Sequence, residues 1–331
     1  MRLRIAGKYI PLIATASVLL ALYGAGCVSY RNFSSLKVLV DLLGDNAFLG
    51  VAAVGATFVI LSGGIDLSVG AVVAFTSILV ATLIGKYNVP PLAAIGISLV
   101  LGAVFGAGMG GVIHFFKLPP FLVTLAGMFF ARGMGFVIHP QSLGIKHPFF
   151  VQTITQDLAL PLTERASLPF TAVCFIVVFI AAIGLAQWTR FGRNVYAIGG
   201  DEPSATLMGL PIGRTKILIY TFAGLCSALA GVVFTFYTQS GNPASCVGLE
   251  LDAIASVVIG GTLLSGGVGF VGGTGMGVLI LGIIQTLISF QGNLNTWWTK
   301  IAVGALVLVF IVLQNIIASA SGRAGAKSAR A

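Results

Sequence analysis

Long apolar runs separated by short polar breaks occupy almost the whole of this chain. The run at 169–187 contains no charged residue. Across 331 residues, 57% are hydrophobic and 8% are charged, whereas soluble domains carry about 25% charged residues. Helical runs of roughly 20 apolar residues match the hydrocarbon thickness of a bilayer, where helices satisfy their own backbone hydrogen bonds. The sequence therefore predicts an all-α membrane protein rather than a soluble domain.

The runs predict about ten transmembrane helices with short connections. Two of them are interrupted. The run at 47–61 stops at Ser62-Gly63-Gly64, and the run at 251–264 is short for a full crossing and stops at Ser265-Gly266-Gly267. Such breaks are typical of broken or re-entrant helices, and the likeness of the two segments leaves a repeat and a chance match as open alternatives. The other predicted spans are 9–28, 69–85, 92–113, 121–138, 169–187, 217–237, 272–290 and 297–317, with an amphipathic interfacial helix within 29–46.

The basic residues indicate how the spans are oriented. The formal net charge is +9, and most of the cations lie beside apolar runs, near the N-terminus, in the 188–216 loop and in the tail. Because Lys and Arg are enriched on the cytoplasmic side, we expect this loop and both termini to be cytoplasmic. No stretch interleaves cations with stacking aromatics, so nucleic acid is not an expected partner. We expect one transmembrane domain at 1–331, comprising a membrane core at 9–317, the loop at 188–216 and a basic tail at 318–331 that is disordered from Ser319.

The segment 188–218 is the longest strongly polar interruption in the second half of the chain. Asp201 stands where its carboxylate would accept hydrogen bonds from the free N–H groups of a helix start, and Pro203 falls in the first turn. Gly209 followed by Pro211 is a typical helix stop. The pattern predicts a short capped helix over 201–208, which either lies on lipid headgroups or docks its apolar side chains into a partner's groove.

No enzyme motif is present. The chain lacks G-x-x-x-x-G-K-[ST], the usual ATP-binding P-loop, and the G-x-G-x-x-G match at 267–272 has no βαβ unit around it. The three histidines stand at separate loop edges, and the four cysteines have no metal-ligand spacing. We therefore expect neither catalysis, nor a metal site, nor a cofactor bound by this chain.

Polar residues within the apolar runs are the candidates for function, because ionisable groups are costly at bilayer depth. Asp66 either lies in a broken helix beside a water-filled path or caps the next helix at the membrane surface with help from Ser68. Arg132 needs an acceptor such as Glu250, Asp252 or a carbonyl, and Asp252 is itself expected to be a helix N-cap. The candidates to line a substrate path are Asn46, Thr57, Phe58, Asp66, Thr124 and Phe129.

Several blocks of the sequence resemble one family of transport proteins. They are TRFGRNVYAIGG leading to Met208-Gly209-Leu210-Pro211, DNAFLGVAAVGATFVILSGGIDLSVG, LPPFLVTLAGMFFARG, ELDAIASVVIGGTLLSGGVG and WWTKIAVGALVLVFI. These blocks are similar to the matching blocks of bacterial ATP-binding-cassette importer permeases of the ribose and branched-chain amino-acid type. The chain departs from many of these permeases at Asp201, where Asn is frequent, and at Pro120, which doubles a proline that is commonly single.

The resemblance implies a permease subunit in the bacterial inner membrane. Its implied partners are a paralogous permease or a second copy, a periplasmic sugar-binding protein, and a cytoplasmic ATPase that uses ATP and Mg. The 188–216 loop would be the coupling loop, with the coupling residues Gly200, Asp201, Glu202, Ser204, Ala205, Leu207, Met208 and Gly209.

Within that family the chain is similar to the permeases of bacterial galactofuranose importers. This similarity implies a monosaccharide substrate, galactofuranose or a related pentose or hexose. The alternative is a self-sufficient secondary sugar transporter or channel. Such a protein needs an ion or proton relay deep in the membrane, whereas the acids of this chain lie mostly at the ends of spans.

Overall fold

The computed structural model describes residues 2–152, 160–163, 166–292 and 297–328. It confirms an all-α membrane architecture. The helices of the described ranges are α1 (Arg2–Ser29), α2 (Leu36–Asp45), α3 (Ala47–Leu61), α4 (Val69–Gly85), α5 (Pro91–Phe115), α6 (Pro120–Ile138), α7 (Phe170–Trp188), α8 (Arg190–Gly200), α9 (Glu202–Leu207), α10 (Ile212–Thr238), α11 (Leu249–Ile259), α12 (Val271–Gln291) and α13 (Trp297–Ser328). The short strands are β1 (Leu143–Gly144), β2 (Leu160–Thr163), β3 (Ala166–Leu168) and β4 (Ser240–Gly241), paired antiparallel as β1 with β4 and β2 with β3.

Every predicted span coincides with a helix, although not every helix is long enough to cross a membrane. In the described ranges, six helices are long and apolar enough, and α2 with α3 makes a seventh if this pair, bent by 55°, counts as one span. Helix α11 has 11 residues and is therefore about 16 Å long, short for a crossing as expected. The total of ten spans stays a prediction. The tail prediction was wrong, since α13 continues to Ser328 instead of ending before Ser319.

Helix α3 lies at the centre of the bundle. All its residues from Leu49 to Leu61 are buried, as expected of a helix that is apolar on every side. Helix α10 packs beside it, and glycines at four-residue spacing on α5 let α5 approach α10 closely. A Cβ added at Gly110 would lie 2.9 Å from the Cα of Ile217, and one at Gly106 would overlap the carbonyl of Tyr220. These contacts explain why the stripe consists of glycines.

The bundle has two ends that are distinguished by their loops. Gly213, at the start of α10, packs on His114, near the end of α5, so these two helices run antiparallel. We call this end, which carries α8 and α9, the loop end. Helix α10 has 27 residues, about 40 Å, and brings Tyr237 to the opposite end, the far end. There the Tyr237 ring lies 6.0 Å from that of Phe48, where α2 bends into α3.

The structure identifies the partners of two charged side chains, Arg132 and Asp252. The sequence left the partner of Arg132 open and predicted the wrong role for Asp252. Arg132 Nη1 donates hydrogen bonds to the carbonyls of Pro243, at 2.7 Å, and Ser245, at 2.5 Å. The carbonyl alternative is therefore confirmed. The N-cap prediction for Asp252 was wrong, because Gly248 occupies the N-cap position of α11. Asp252 lies inside the first turns of α11, and its carboxylate pairs with Lys300 Nζ at 2.6 Å.

Candidate functional site

Two consecutive capped helices form the polar loop between α7 and α10. Thr189 is the N-cap of α8 and accepts a hydrogen bond from Gly192 N at 3.1 Å. Asp201 ends α8 and is the N-cap of α9, where its Oδ2 accepts from Ser204 N at 3.2 Å. Gly209, with φ +75°, closes α9 in the left-handed conformation that glycine adopts without strain. The predicted short helix is confirmed, and α8 is an additional helix that we did not predict.

The surface of α9 combines exposed apolar and charged side chains. Leu207 is 90% exposed and Met208 is 68% exposed, although large apolar side chains usually avoid water. Glu202 is also exposed and pairs with Lys216 Nζ at 2.7 Å. The remaining predicted coupling residues Gly200, Asp201, Ser204 and Gly209 are exposed, whereas Ala205 is fully buried. Leu207 and Met208 therefore form an apolar tip that points away from the bundle, and Ala205 seats α9 on its own chain.

The end of α8 is held by backbone contacts between glycines. We call this cluster the glycine junction, and it comprises Leu61, Gly63, Gly199, Gly200, Gly266 and Gly267. Gly267 N donates a hydrogen bond of 2.8 Å to the carbonyl of Leu61, the last residue of α3. A Cβ at Gly199 would overlap the same carbonyl, and a Cβ at Gly266 would lie 2.7 Å from Gly63 N. Three segments far apart in sequence thus meet here without side chains between them.

The glycine junction connects α9 to both interrupted helices. Asp201 is the only residue between α8 and α9. The other side of the junction is formed by the break after α3 and the loop after α11, the two places where Ser-Gly-Gly occurs. Tyr196 of α8 adds a hydrogen bond from its hydroxyl to the carbonyl of Gly269, at 3.0 Å. The junction therefore connects α9, through α8 and close-packed backbone, to the end of α3 and to the loop after α11.

Hydrogen bonds from buried polar side chains stabilise the break after α3. Asp66 is only 2% exposed, and its Oδ1 accepts from Ser68 N at 2.8 Å and Ser68 Oγ at 2.6 Å. Thr124 of α6 donates to the carbonyl of Ile65 at 3.1 Å and accepts from Leu67 N at 3.2 Å. Ser68 occupies the N-cap position of α4 without a side-chain capping hydrogen bond, and Asp66 bonds to Ser68 itself inside the protein. Asp66 therefore does not cap α4 at the membrane surface, and its place beside a path stays a prediction.

Two buried oxygen atoms beside this break lack partners. Asp66 Oδ2 and the Tyr220 hydroxyl have no hydrogen bond within the described part of the chain. The Tyr220 hydroxyl packs against Gly64, where an added Cβ would lie 2.5 Å from it. An unpaired buried polar atom costs roughly 1–3 kcal/mol. Two such atoms thus face the break, one from the break itself and one from α10.

The remaining path candidates do not converge on one site. Thr57 bonds to Thr274, with 2.8 Å between the hydroxyl oxygens. Phe58 is fully buried, with its ring 4.9 Å from that of Phe222. Phe129 is 66% exposed on the side of α6, and Asn46 lies at the far end in the bend between α2 and α3. The structure brings only Asp66 and Thr124 together, at the break.

Sequence reasoning missed the glycine junction and helix α8. The signals were present, since Gly199-Gly200 and Gly266-Gly267 are adjacent pairs and Thr189 precedes α8 in an N-cap position. Nothing in the sequence, however, indicates that these pairs touch. Their contact depends on how α3, α8 and the loop after α11 pack.

Comparison with known proteins identifies close relatives along nearly the whole chain. Residues 38–311 match the protein family described as branched-chain amino acid transport system / permease component. The chain is 50% identical to the inner membrane ABC transporter permease protein YjfF of Escherichia coli (strain K12), covering 93% of this chain and 92% of that protein. It is 39% identical to the ribose import permease protein RbsC of Bacillus subtilis (strain 168), covering 87% and 88%. It is 37% identical to the fructose import permease protein FruG of Bifidobacterium longum (strain NCC 2705), covering 95% and 93%. No solved structure matches the chain.

Proposed function

The chain belongs to the family of branched-chain amino acid transport system permease components, and from this membership we propose that it is the permease subunit of an ATP-binding-cassette importer for a monosaccharide. The protein is a multi-pass protein of the bacterial inner membrane. The relatives named for fructose and ribose import support a sugar over a branched-chain amino acid. We further propose galactofuranose or a related pentose or hexose as the substrate.

The apolar tip of α9 is the structural observation that supports docking to an ATPase. Two large apolar side chains, 90% and 68% exposed, are held on a capped helix outside the bundle. A soluble groove that buries them would gain about 1.5–3 kcal/mol for each side chain. The loop end, in this proposal, faces the cytoplasm and seats α9 on the ATPase. The ATPase binds ATP and Mg, and this chain contributes no catalytic group.

The mechanism follows from how α9 is attached. Closure of the ATPase around ATP would push the tip of α9, and α8 would pass that displacement to the glycine junction. The junction contains the last residue of α3 and part of the loop after α11. Both interrupted helices would therefore move together. A second permease, a paralogue or a second copy, would complete the path, and a periplasmic sugar-binding protein would deliver the substrate at the far end.

The test is uptake by the complete complex in proteoliposomes. The chain is reconstituted with its ATPase, sister permease and binding protein, and uptake is measured with labelled pentoses and hexoses in both ring forms. We expect uptake to require ATP and to stop when the P-loop lysine of the ATPase is replaced. Uptake that survives this replacement would identify a secondary transporter or channel instead. Comparing uptake of the different labelled sugars identifies the substrate.

A further inference from the structure

A cavity of about 450 Å³ opens at the far end of the bundle, between α2, the start of α3, α10 and α12. Its volume lies within the range of small-molecule sites, about 300–1,000 Å³. Its lining includes the polar residues Asp41, Asp45, Asn46 and Gln285 and the aromatic residues Phe48, Tyr237 and Phe290. The predicted path residues contribute only Asn46 to it, so the cavity is distinct from the break at Asp66.

The bend between α2 and α3 forms one wall of the cavity. Asp41 and Asp45 are four residues apart on α2 and therefore lie on one face of that helix. Asn46 ends α2 and begins α3, and its Nδ2 donates to the carbonyl of Leu42 at 2.9 Å. Tyr237, at the end of α10, lines the opposite wall of the cavity. The bend thus brings two carboxylates and an amide to one opening.

Several polar atoms of this lining remain available to a ligand. Asn46 is only 5% exposed, yet its side-chain oxygen accepts no hydrogen bond from another described residue. The same holds for the side chains of Asp41 and Gln285, which are exposed at the cavity. Carboxylates accept hydrogen bonds, and amides both donate and accept them. A ligand with several hydroxyl groups would match this set, because a hydroxyl group also donates and accepts.

Aromatic rings supply the apolar part of the lining. Phe48, Tyr237 and Phe290 border the cavity. The Phe48 and Tyr237 rings are tilted at 35° to each other, 6.0 Å between centroids, and the Phe290 ring packs edge-on against Tyr30. Binding sites of this kind combine apolar or aromatic walls with a few oriented polar groups. A sugar ring has both surfaces, with hydroxyl groups at its edge and C–H bonds on its faces.

The charges around the cavity discriminate between substrate classes. Among the described residues, the lining contains two carboxylates and no Lys, Arg or His. A sugar phosphate would bring an anionic group into this negative site without a cation to compensate it, whereas a neutral sugar carries no such penalty.

We propose that this far-end cavity is a binding site for a neutral monosaccharide. The inference rests on the proposed import function and deepens it, since it assigns to named residues the first contact of this chain with its substrate. Asp41, Asp45 and Asn46 accept hydrogen bonds from sugar hydroxyls, Gln285 donates one, and the aromatic rings contact the ring face. The far end is the end where a sugar would enter during import.

The experiment measures sugar binding to the full chain in lipid nanodiscs. Ribose, fructose and galactose are titrated by saturation-transfer NMR, with leucine and calcium chloride as non-sugar probes. The variants Asp41→Asn and Gln285→Leu remove one acceptor and one amide from the cavity. Gln141→Leu is the matched control, because Gln141 is exposed near β1 at the same end but does not line the cavity.

We expect at least one sugar to bind, with Kd raised about tenfold by Asp41→Asn and about fivefold by Gln285→Leu, and unchanged by Gln141→Leu. Thermal unfolding of each variant verifies that the fold is intact. The inference is overturned if no sugar binds, if only leucine or calcium binds, or if the cavity variants bind sugar like the control. If ATP-driven uptake is intact in that case, only the cavity assignment fails. If uptake is absent while the cavity binds sugar, the transport proposal fails instead.

Discussion

The apolar tip of α9 lies less than ten residues from Gly199-Gly200, its nearest part of the glycine junction, and the two regions have opposite characters. The tip consists of long side chains, with Leu207 at 90% exposure and Met208 at 68%. The junction consists of backbone, where a Cβ at Gly267 would lie 2.6 Å from the Cα of Gly200. The tip exposes large apolar side chains to the outside of the bundle, whereas the junction excludes even a methyl group.

This contrast indicates how a displacement can cross the molecule. Exposed side chains exchange rapidly between rotamers and can therefore adapt to a partner's groove. Close-packed backbone has no rotamers, and protein interiors transmit strain because they are nearly incompressible. Under the proposed function, the tip would recognise the ATPase and the junction would transmit its displacement.

We expect the largest effect when the apolar tip can no longer bind the ATPase. Replacing both Leu207 and Met208 with Asp would take about 3 kcal/mol or more of apolar burial out of the interface with the ATPase. We expect ATP-driven uptake in proteoliposomes to fall about a hundredfold, while the chain still inserts into the membrane. Tyr87→Asp places one such charge on an exposed residue of the loop after α4 and should leave uptake unchanged. Equal uptake by the double variant and the parent chain would contradict the docking role of the tip.

Gly199→Ala tests whether the glycine junction transmits a displacement of α9. We expect a smaller loss of uptake than for the double Asp variant. The new methyl group would overlap the carbonyl of Leu61, and overpacking of this kind costs about 1–3 kcal/mol. We expect uptake to fall about tenfold while the ATPase remains bound, as measured by co-purification. Gly272→Ala is the control, because a Cβ there would meet nothing within 4 Å. Loss of ATPase binding in Gly199→Ala would mean that the junction shapes the tip rather than transmits its motion.

Gly209→Val should have an intermediate effect at the end of α9. Gly209 has φ +75°, a conformation that costs a side-chain-bearing residue about 1–2 kcal/mol. The strain would loosen the C-terminal turn that presents the tip, and we expect uptake to fall about fivefold. Asn tolerates this conformation, so Gly209→Asn should retain more than half of the parent uptake. If both variants transport equally, the backbone conformation at this position is unimportant.

We expect the smallest effect on uptake when the N-cap of α9 is removed. Asp201→Ala removes the acceptor of Ser204 N, and loss of an N-cap costs about 1 kcal/mol of helix stability. The hydrogen bond from Leu210 N to the carbonyl of Ala205, at 3.1 Å, still closes the other end of α9. We expect uptake to fall about twofold and to be restored in Asp201→Ser, which keeps a capping oxygen. A loss as large as that of the double Asp variant would imply that Asp201 contacts the ATPase directly.

Local features of the fold were predictable to within a few residues. Helices α3 and α4 begin and end at the predicted positions, because Ser-Gly-Gly and a polar Lys86-Tyr87-Asn88 stretch interrupt the apolar runs. Helix α9 was predictable from its cap and its glycine stop. These signals act over one or two turns of chain, so they can be identified without tertiary structure.

The candidate site was predictable only in part, and Asp66 and Asp252 illustrate the reason. The sequence predicts Asp252 as a helix N-cap and leaves the same role open for Asp66. Asp66 uses Ser68, two residues away, whereas Asp252 uses Lys300, 48 residues away. The first contact can be inferred from the sequence, because the chain between the two residues is short. The second depends on how α11 and α13 pack.

The sequence alone determined that this chain lies in a membrane, where its helices break, and that a capped helix stands outside the bundle. Hydropathy and capping are properties of neighbouring residues, which is why they determine these features. Only the tertiary structure decided that Gly199 meets Leu61 and Gly267, and that Asn46 opens into a cavity rather than a packed core. Those outcomes depend on the close approach of segments that are far apart along the chain, where a few tenths of an ångström separate contact from overlap.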